Sequence, residues 1–332
     1  LTYKQVEGHI KSSELLKDEE VVDSIHALEQ LTTARLKIRQ QRHALEINPK
    51  EAILELASNK EVKNIIIKRP LRAHKLVEES MLLANECSAE FMQERFGFGV
   101  FRIHEDPDPS KLEVLKKYFQ MPAQIAKQSS PLEIINYCLK QAHEKQDDSG
   151  QILVLQTLAR AEYSTNNLGH FGLQLKQYSH FTSPIRRYPD LLTHRMINKS
   201  LAHKKGGYNQ SQLQDMCEDS SVLERRAEKA SRQVEQVLIC SFLKDKIGSE
   251  VDGVVTGVTD FGLFVNLEDY FISGLLHVSD LPGDRYHLIQ GANILKGKRT
   301  GKSFKLGQKI KVKIMAIAPL DRKINLVIAD GK

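Results

Sequence analysis

Between Gly169 and Arg195 the sequence concentrates groups that grip phosphate or stack on nucleobases. The cations and potential cations are His170, Lys176, His180, Arg186, Arg187, His194 and Arg195; the rings are Phe171, Tyr178, Phe181 and Tyr188; Asp190 is the one acid. Guanidinium groups meet phosphate with paired donors, and flat rings stack on bases of any identity, so the mixture suits single-stranded nucleic acid. Pro184 and Pro189 stiffen the turn that carries Arg186 and Arg187. A basic surface loop ahead of a helix is the bland reading of the same residues. Ser183, His180 and Asp190 could be written as nucleophile, base and orienter, but nothing marks an oxyanion hole or a nucleophile elbow.

A second concentration lies further on. Lys296 to Lys313 holds eight Lys or Arg, and no Asp or Glu occurs between Asp284 and Asp321. Lys298, Arg299 and Lys302 are therefore candidates for contact with a phosphate backbone, which is electrostatic and largely blind to sequence. Gly297-Lys-Arg-Thr-Gly-Lys-Ser303 looks like a phosphate loop, but three residues separate its glycines where four are needed. No suitable strand precedes it, so nucleotide binding is rejected there.

Hydrolysing a phosphodiester usually needs metal ions to activate water and offset charge, and magnesium wants carboxylates grouped in space. Asp18-Glu19-Glu20 and Asp147-Asp148 sit in polar helical surroundings. Asp106 and Asp108 are flanked by prolines and read as a turn leading into a helix. Cys87, Cys138, Cys217 and Cys240 are too widely separated for a ligand spacing; they read as buried packing residues in a reducing compartment. No metal site is expected within this sequence.

The elements that must position these residues read as follows. Residues 1–45 look helical, with a basic run from Arg35 to Arg42. Ala44–Ile47 and Ile53–Leu56 read as short strands around Asn48-Pro49, with Val62–Ile67 a third. Pro70–Phe96 is the clearest helix, its expected inner face running through Leu76, Val77, Ser80, Met81, Ala84, Cys87, Ser88 and Phe91. Helices are expected at 111–118, 131–145 and 151–162, from Pro189 onward, and at 211–245, where Leu213, Met216, Leu223, Ala227, Ala230, Val234 and Val237 form a stripe. From Ile247 the period becomes strand-like, with five short strands and glycines at bends, which suggests an OB-type barrel. The expected architecture is α+β, with long helices and strands over 1–245 and a five-stranded OB-fold barrel over 246–332.

The 332 residues are 41% apolar and 27% charged, with net charge +6, ordinary for a globular protein with room for two or more domains. Residues 246–332 hold 13 Lys or Arg against 9 Asp or Glu, so charge gathers there. No apolar run approaches a membrane span, so no membrane partner is expected and a cytoplasmic location is. The first residue is Leu1 rather than Met, and the sequence is expected to begin inside a longer protein.

His-Phe-Gly-Leu followed by Tyr-Ser-His-Phe-Thr-Ser-Pro-Ile-Arg-Arg-Tyr-Pro-Asp-Leu resembles the signature of the ribonuclease II / ribonuclease R family of processive 3′-to-5′ exoribonucleases. The resemblance implies the C-terminal part of that family's catalytic domain. It implies that Arg186 contacts phosphate in the scissile region, that Glu78 meets the 3′-terminal nucleotide and that Tyr3 lines the active site. Where some members have a base-stacking phenylalanine this sequence has Ile47, which cannot stack. The family's aspartates bind magnesium and would lie upstream of Leu1, so this chain alone is expected to bind single-stranded RNA without cutting it, and an upstream fragment of the same protein is an expected partner. A non-catalytic RNA-binding protein on the same scaffold is the alternative. Gly-Val-Thr-Asp-Phe-Gly-Leu-Phe-Val and Gly-Leu-Leu-His-Val-Ser are similar to the ribosomal S-one-type RNA-binding domain, which implies RNA-facing roles for Phe261, Phe264 and His277; a barrel interior also needs filling, and both readings stand. His170, Tyr178, His180 and Arg187 complete the candidate RNA contacts.

Overall fold

Several helices begin where the sequence places a capping side chain ahead of them. The computed structural model describes residues 1–12, 18–47, 52–67, 70–203, 207–270, 272–289 and 294–329. The first half of the chain runs α1 (Tyr3–Ser12), α2 (Glu19–Gln41), β1 (Ala52–Leu56), β2 (Val62–Ile67), α3 (Arg72–Phe96), β3 (Phe101–Ile103), α4 (Pro109–Tyr118), α5 (Ala123–Gln128), α6 (Pro131–Glu144) and α7 (Asp148–Thr157). It continues with β4 (Glu162–Ser164), α8 (Tyr188–Leu201) and α9 (Gln210–Leu243). The last part is β5 (Glu250–Val258), β6 (Gly262–Leu267), β7 (Ile272–His277), β8 (Tyr286–Ile289), β9 (Ile294–Gly297), β10 (Ser303–Lys305), β11 (Lys309–Ala318) and β12 (Lys323–Ile328). Asp18 caps α2, Asp108 caps α4 ahead of Pro109, and Ser130 with Glu133 forms a reciprocal capping box on α6. Asp108 thus serves a helix start, as its prolines imply.

The chain divides into two compact units. The first comprises Leu1–Glu46, Arg69–Pro107 and Ala159–Arg225. Its axis is α3. The Glu7 carboxylate of α1 accepts the Ala73 N–H at 2.9 Å, capping α3 from outside, while Arg72 reaches Glu29 of α2 at 2.6 Å. Beyond α3, left-handed Gly97 turns the chain (φ 74°) into β3, which pairs antiparallel with β4. Met92, Val100, Tyr163, Leu192, Met196, Leu213 and Cys217 form the core that joins α3, α8 and the start of α9.

The second unit comprises Ile47–Lys68, Asp108–Leu158 and Arg226–Lys332. Five strands close a barrel in the order β11-β12-β7-β6-β5, all neighbours antiparallel except β12 with β7. Inward positions alternate along the strands, and Val255, Leu263, Val265, Leu267, Leu276, Val312, Ile314 and Leu326 fill the interior. Ile239, Cys240 and Leu243 at the end of α9 join the same core, as do Leu54 and Ile65 of the β1–β2 hairpin. The five strands read from sequence are the barrel strands. A further antiparallel sheet, β10-β9-β8, was not anticipated, because its strands are only three or four residues long.

Several expectations are corrected. The buried face of α3 is Ala73, Leu76, Glu79, Leu82, Asn85, Ser88, Ala89 and Met92, whereas Val77 and Cys87 are exposed. Three inward residues are polar, so hydrophobicity pointed about one position away. Ala44–Ile47 forms no strand; buried Leu45 donates its N–H to the Gly172 carbonyl, and the partner of β1 is β2. Asn48-Pro49 lies outside the described residues. The helix expected at 151–162 starts earlier, at Asp148 behind the Asp147 cap, and ends at Thr157, leaving Glu162–Ser164 to pair with β3. Leu223, Ala227, Ala230 and Val234 of α9 are exposed, since the helix is packed only near its two ends.

Candidate nucleic-acid interface

The signature stretch is held on α3 by polar pairs. Asn85 uses both ends of its amide: Nδ2 donates to the Tyr178 hydroxyl and Oδ1 accepts the Phe181 N–H, each at 2.9 Å. One turn on, the Ser88 and Ser179 hydroxyls meet at 2.8 Å. Asn85, Ser88, Tyr178 and Ser179 are all buried, so each pair is worth more satisfied than broken. Arg102 N–H donates to the Tyr178 carbonyl, which ties the stretch to β3 as well.

Past Phe181 the chain turns through Pro184. The Asp190 carboxylate, 0% exposed, accepts the Ser183 N–H at 2.7 Å and takes both prongs of Arg187 at 2.8 and 2.9 Å. This planar two-pronged pairing fixes the turn. Arg186 and Ile185 project outward, Ile185 at 101% exposure. Arg187, expected as an RNA contact, is therefore committed to Asp190, and Arg186 is the arginine of the pair that is presented.

Two histidines of the stretch, His170 and His180, are held neutral. Burial, with the Arg187 charge added, pushes His180 down to about 2. Burial likewise pushes His170 down to about 3, helped by His104. His180 Nδ1 lies 2.8 Å from the Tyr163 hydroxyl, and His170 packs edge-on against His104 and Tyr178. Tyr178 is buried against Leu82 and Leu175. The expectation that Tyr178 stacks on bases is corrected: it and these neutral rings fill the space under the turn.

Tyr3 and Glu78 fall on one side of α3. The Tyr3 ring stacks on His74 at 4.3 Å, and His74 and Glu78 are one turn apart. Glu78 is paired with Lys75 at 2.8 Å and with Arg39 of α2 at 3.2 Å. Arg39 also holds fully buried Glu79 at 3.1 Å, and Arg35 bridges Glu79 and Glu86. Glu78 precedes Asn85 by seven residues, roughly 10 Å along the helix. One helix thus carries both this charge-paired cluster and the anchor of the arginine turn. Asn85, Glu79 and Asp190 were not singled out as structural keys from sequence; the signal for the first two was polar residues at helical spacing among Leu76, Leu82 and Met92.

On the barrel, Phe261 and Phe264 are 45% and 37% exposed and meet edge to face at 6.0 Å. His277 is exposed and pairs in register with Gly262, and Val278 donates to the Phe261 carbonyl, which brings the three side chains to one surface. Gly262 is needed there: a Cβ would collide with the Leu276 carbonyl, and its φ is +155°. The basic run is less bare than its sequence. Lys311 meets Glu250 of β5 at 3.2 Å and Lys309 meets Glu268, in the turn after β6, at 3.7 Å. Lys298, Arg299 and Lys302 lie exposed at the β9–β10 turn. Among the described residues no group of three or more His, Cys, Asp or Glu is placed to hold a metal ion, and no helix is long and apolar enough to cross a membrane.

Residues 1–203 match the family model described as RNB domain, and residues 244–328 match that of the S1 RNA binding domain. The chain is similar to Ribonuclease R of Vibrio cholerae serotype O1, with 34% identity across 99% of this chain and 42% of that protein. Ribonuclease R of Escherichia coli K12 is 33% identical, across 100% of this chain and 43% of its own length. The solved structure of Mycoplasma genitalium RNase R in complex with ribose methylated single-stranded RNA superposes with TM-score 0.89 at 25% identity, covering 98% of this chain and 53% of that one. The chain spans about two fifths of the length of these curated relatives.

Proposed function

The chain belongs to the RNB domain family, and on that premise we propose that it forms the RNA-gripping part of a 3′-to-5′ exoribonuclease that releases nucleoside 5′-monophosphates. The observation that carries this reading is the Asp190 lock, which fixes Arg187 and so presents Arg186 from a rigid turn. When a phosphodiester is attacked, charge grows on its non-bridging oxygens. A guanidinium already held in place stabilises that charge without reorganising. Arg186 takes this role. Glu78 and Tyr3 meet the terminal nucleotide, the carboxylate accepting from sugar hydroxyls and the ring packing on the sugar or base. For Glu78 to do so, its pairs with Lys75 and Arg39 must open or be shared. Arg187, His170, Tyr178 and His180 act through the shape of the turn.

The barrel feeds the strand. Phe261, Phe264 and His277 offer stacking surfaces, and Lys298, Arg299 and Lys302 meet phosphates. A boundary near residue 245 separates the two tasks. Magnesium is the metal we expect for this chemistry. The described residues do not form a site for it, so no step is drawn through it, and we expect its carboxylate ligands in the stretch of the relatives that this chain does not span.

The test is release of mononucleotide from 3′-labelled single-stranded RNA by this chain in magnesium or manganese. Binding without release is expected. Failure to bind RNA would contradict the reading as a whole. Metal-dependent release abolished by Arg186→Ala would overturn the inactivity of the isolated chain while keeping the role of Arg186.

A further inference from the structure

The glycine-bounded run Gly297–Ser303 has inward-pointing backbone donors and no nucleotide to bind. The structure shows what occupies them. The Asp284 carboxylate sits inside the β9–β10 turn: Oδ2 accepts from Thr300 N at 2.6 Å, from the Thr300 hydroxyl at 2.8 Å and from Arg299 N at 2.9 Å. Oδ1 accepts from Arg285 N at 2.7 Å. The approach requires Gly297, where a Cβ would stand 2.5 Å from Oδ2. The turn is clamped from the same segment twice more, by Lys298 N–H to the Arg285 carbonyl at 2.9 Å and by the Arg299 guanidinium to the Gly283 carbonyl at 3.0 Å. Gly301 closes the loop in the left-handed region, φ +70°. A concave run of amides of this kind is an anion-binding shape. Here the anion is internal.

We propose that Asp284 is a positioning residue for RNA: by filling the turn from within, it holds Lys298 and Lys302 outward as a preformed phosphate fork. This rests on the reading of the hairpin as an RNA contact. Because the inward amides are taken, phosphate is met by the cationic side chains on the outside of the turn, so the contact is electrostatic. The amide and hydroxyl of Thr300, then the amides of Arg299 and Arg285, hold the Asp284 carboxyl well below the usual carboxylate range, so the clamp is charged at neutral pH. The proposal makes a prediction of inverted sign. On net charge alone, removing an acid from a basic hairpin tightens RNA binding. On this proposal it weakens binding, because the fork loses its shape.

The experiment is equilibrium binding of this chain to a fluorescent oligoadenylate over a salt series. Asp284→Ala is expected to bind about fivefold more weakly and to lower the log–log salt slope by about one. Asp284→Asn, which keeps an acceptor, falls between it and the natural sequence. In a background carrying Lys298→Ala and Lys302→Ala, Asp284→Ala changes nothing further. If the double lysine variant binds as the natural sequence does, the hairpin is not an RNA contact and the underlying reading fails. If that variant binds weakly while Asp284→Ala binds equally or more tightly than the natural sequence, the role of Asp284 is overturned. Amide hydrogen exchange at Arg299 and Thr300 supplies the second measurement: it rises in Asp284→Ala if the clamp is real, and unchanged exchange contradicts it.

Discussion

Arg186 and Arg187 are neighbours with the same side chain, and Asp190 separates their fates. Arg187 is drawn into a two-pronged pair over a fully buried carboxylate, while Arg186 points outward. Removing one partner of a buried pair leaves the other charge uncompensated, so Arg187→Ala should cost about 3 kcal/mol in urea unfolding and also weaken RNA binding. A cost within error of zero would show that the pair does not fix the turn. The histidines add a pH dependence. His170 and His180 are held far below the ordinary value of about 6.5, so the fold prefers them neutral. Their contribution is intact above about pH 6.5 and is lost as pH falls, because the unfolded chain takes up the protons first. Stability should therefore drop between pH 7 and pH 5 by up to about 1.4 kcal/mol per unit for each ring. His180→Gln should flatten the slope by one histidine's share. At this scale the sequence displayed the residue types but not which were free, since the Asp190 pairing and the depth of the rings are products of the fold.

At the scale of elements, α3 is the part on which both candidate patches depend. Its existence was legible from apolar period and from Gly97 beyond its end. Its inner face was not, because Glu79, Asn85 and Ser88 point inward to partners far away in sequence. Asn85→Ala should lose about 2–3 kcal/mol of stability, as it orphans the buried Tyr178 hydroxyl and the Phe181 amide together. Unfolding by urea checks this, and a cost within error of zero would contradict the assigned hydrogen bonds. The barrel strands, by contrast, were readable from alternation alone, while the short β8–β10 sheet was invisible to any periodicity.

For the whole molecule, RNA contact is divided, on the proposed reading, between an arginine turn in one unit and an aromatic and basic surface in the other. Phe261→Ala with Phe264→Ala should weaken RNA binding by about 1–3 kcal/mol for each base stacked, with little change in salt slope, since stacking releases no ions. The measurement that bears most directly on the central claim is the salt dependence of single-stranded RNA binding to this chain, natural and Arg186→Ala. If Arg186 is presented to phosphate, the variant binds more weakly and its log–log slope is smaller by about one. Two superimposable lines would contradict the account.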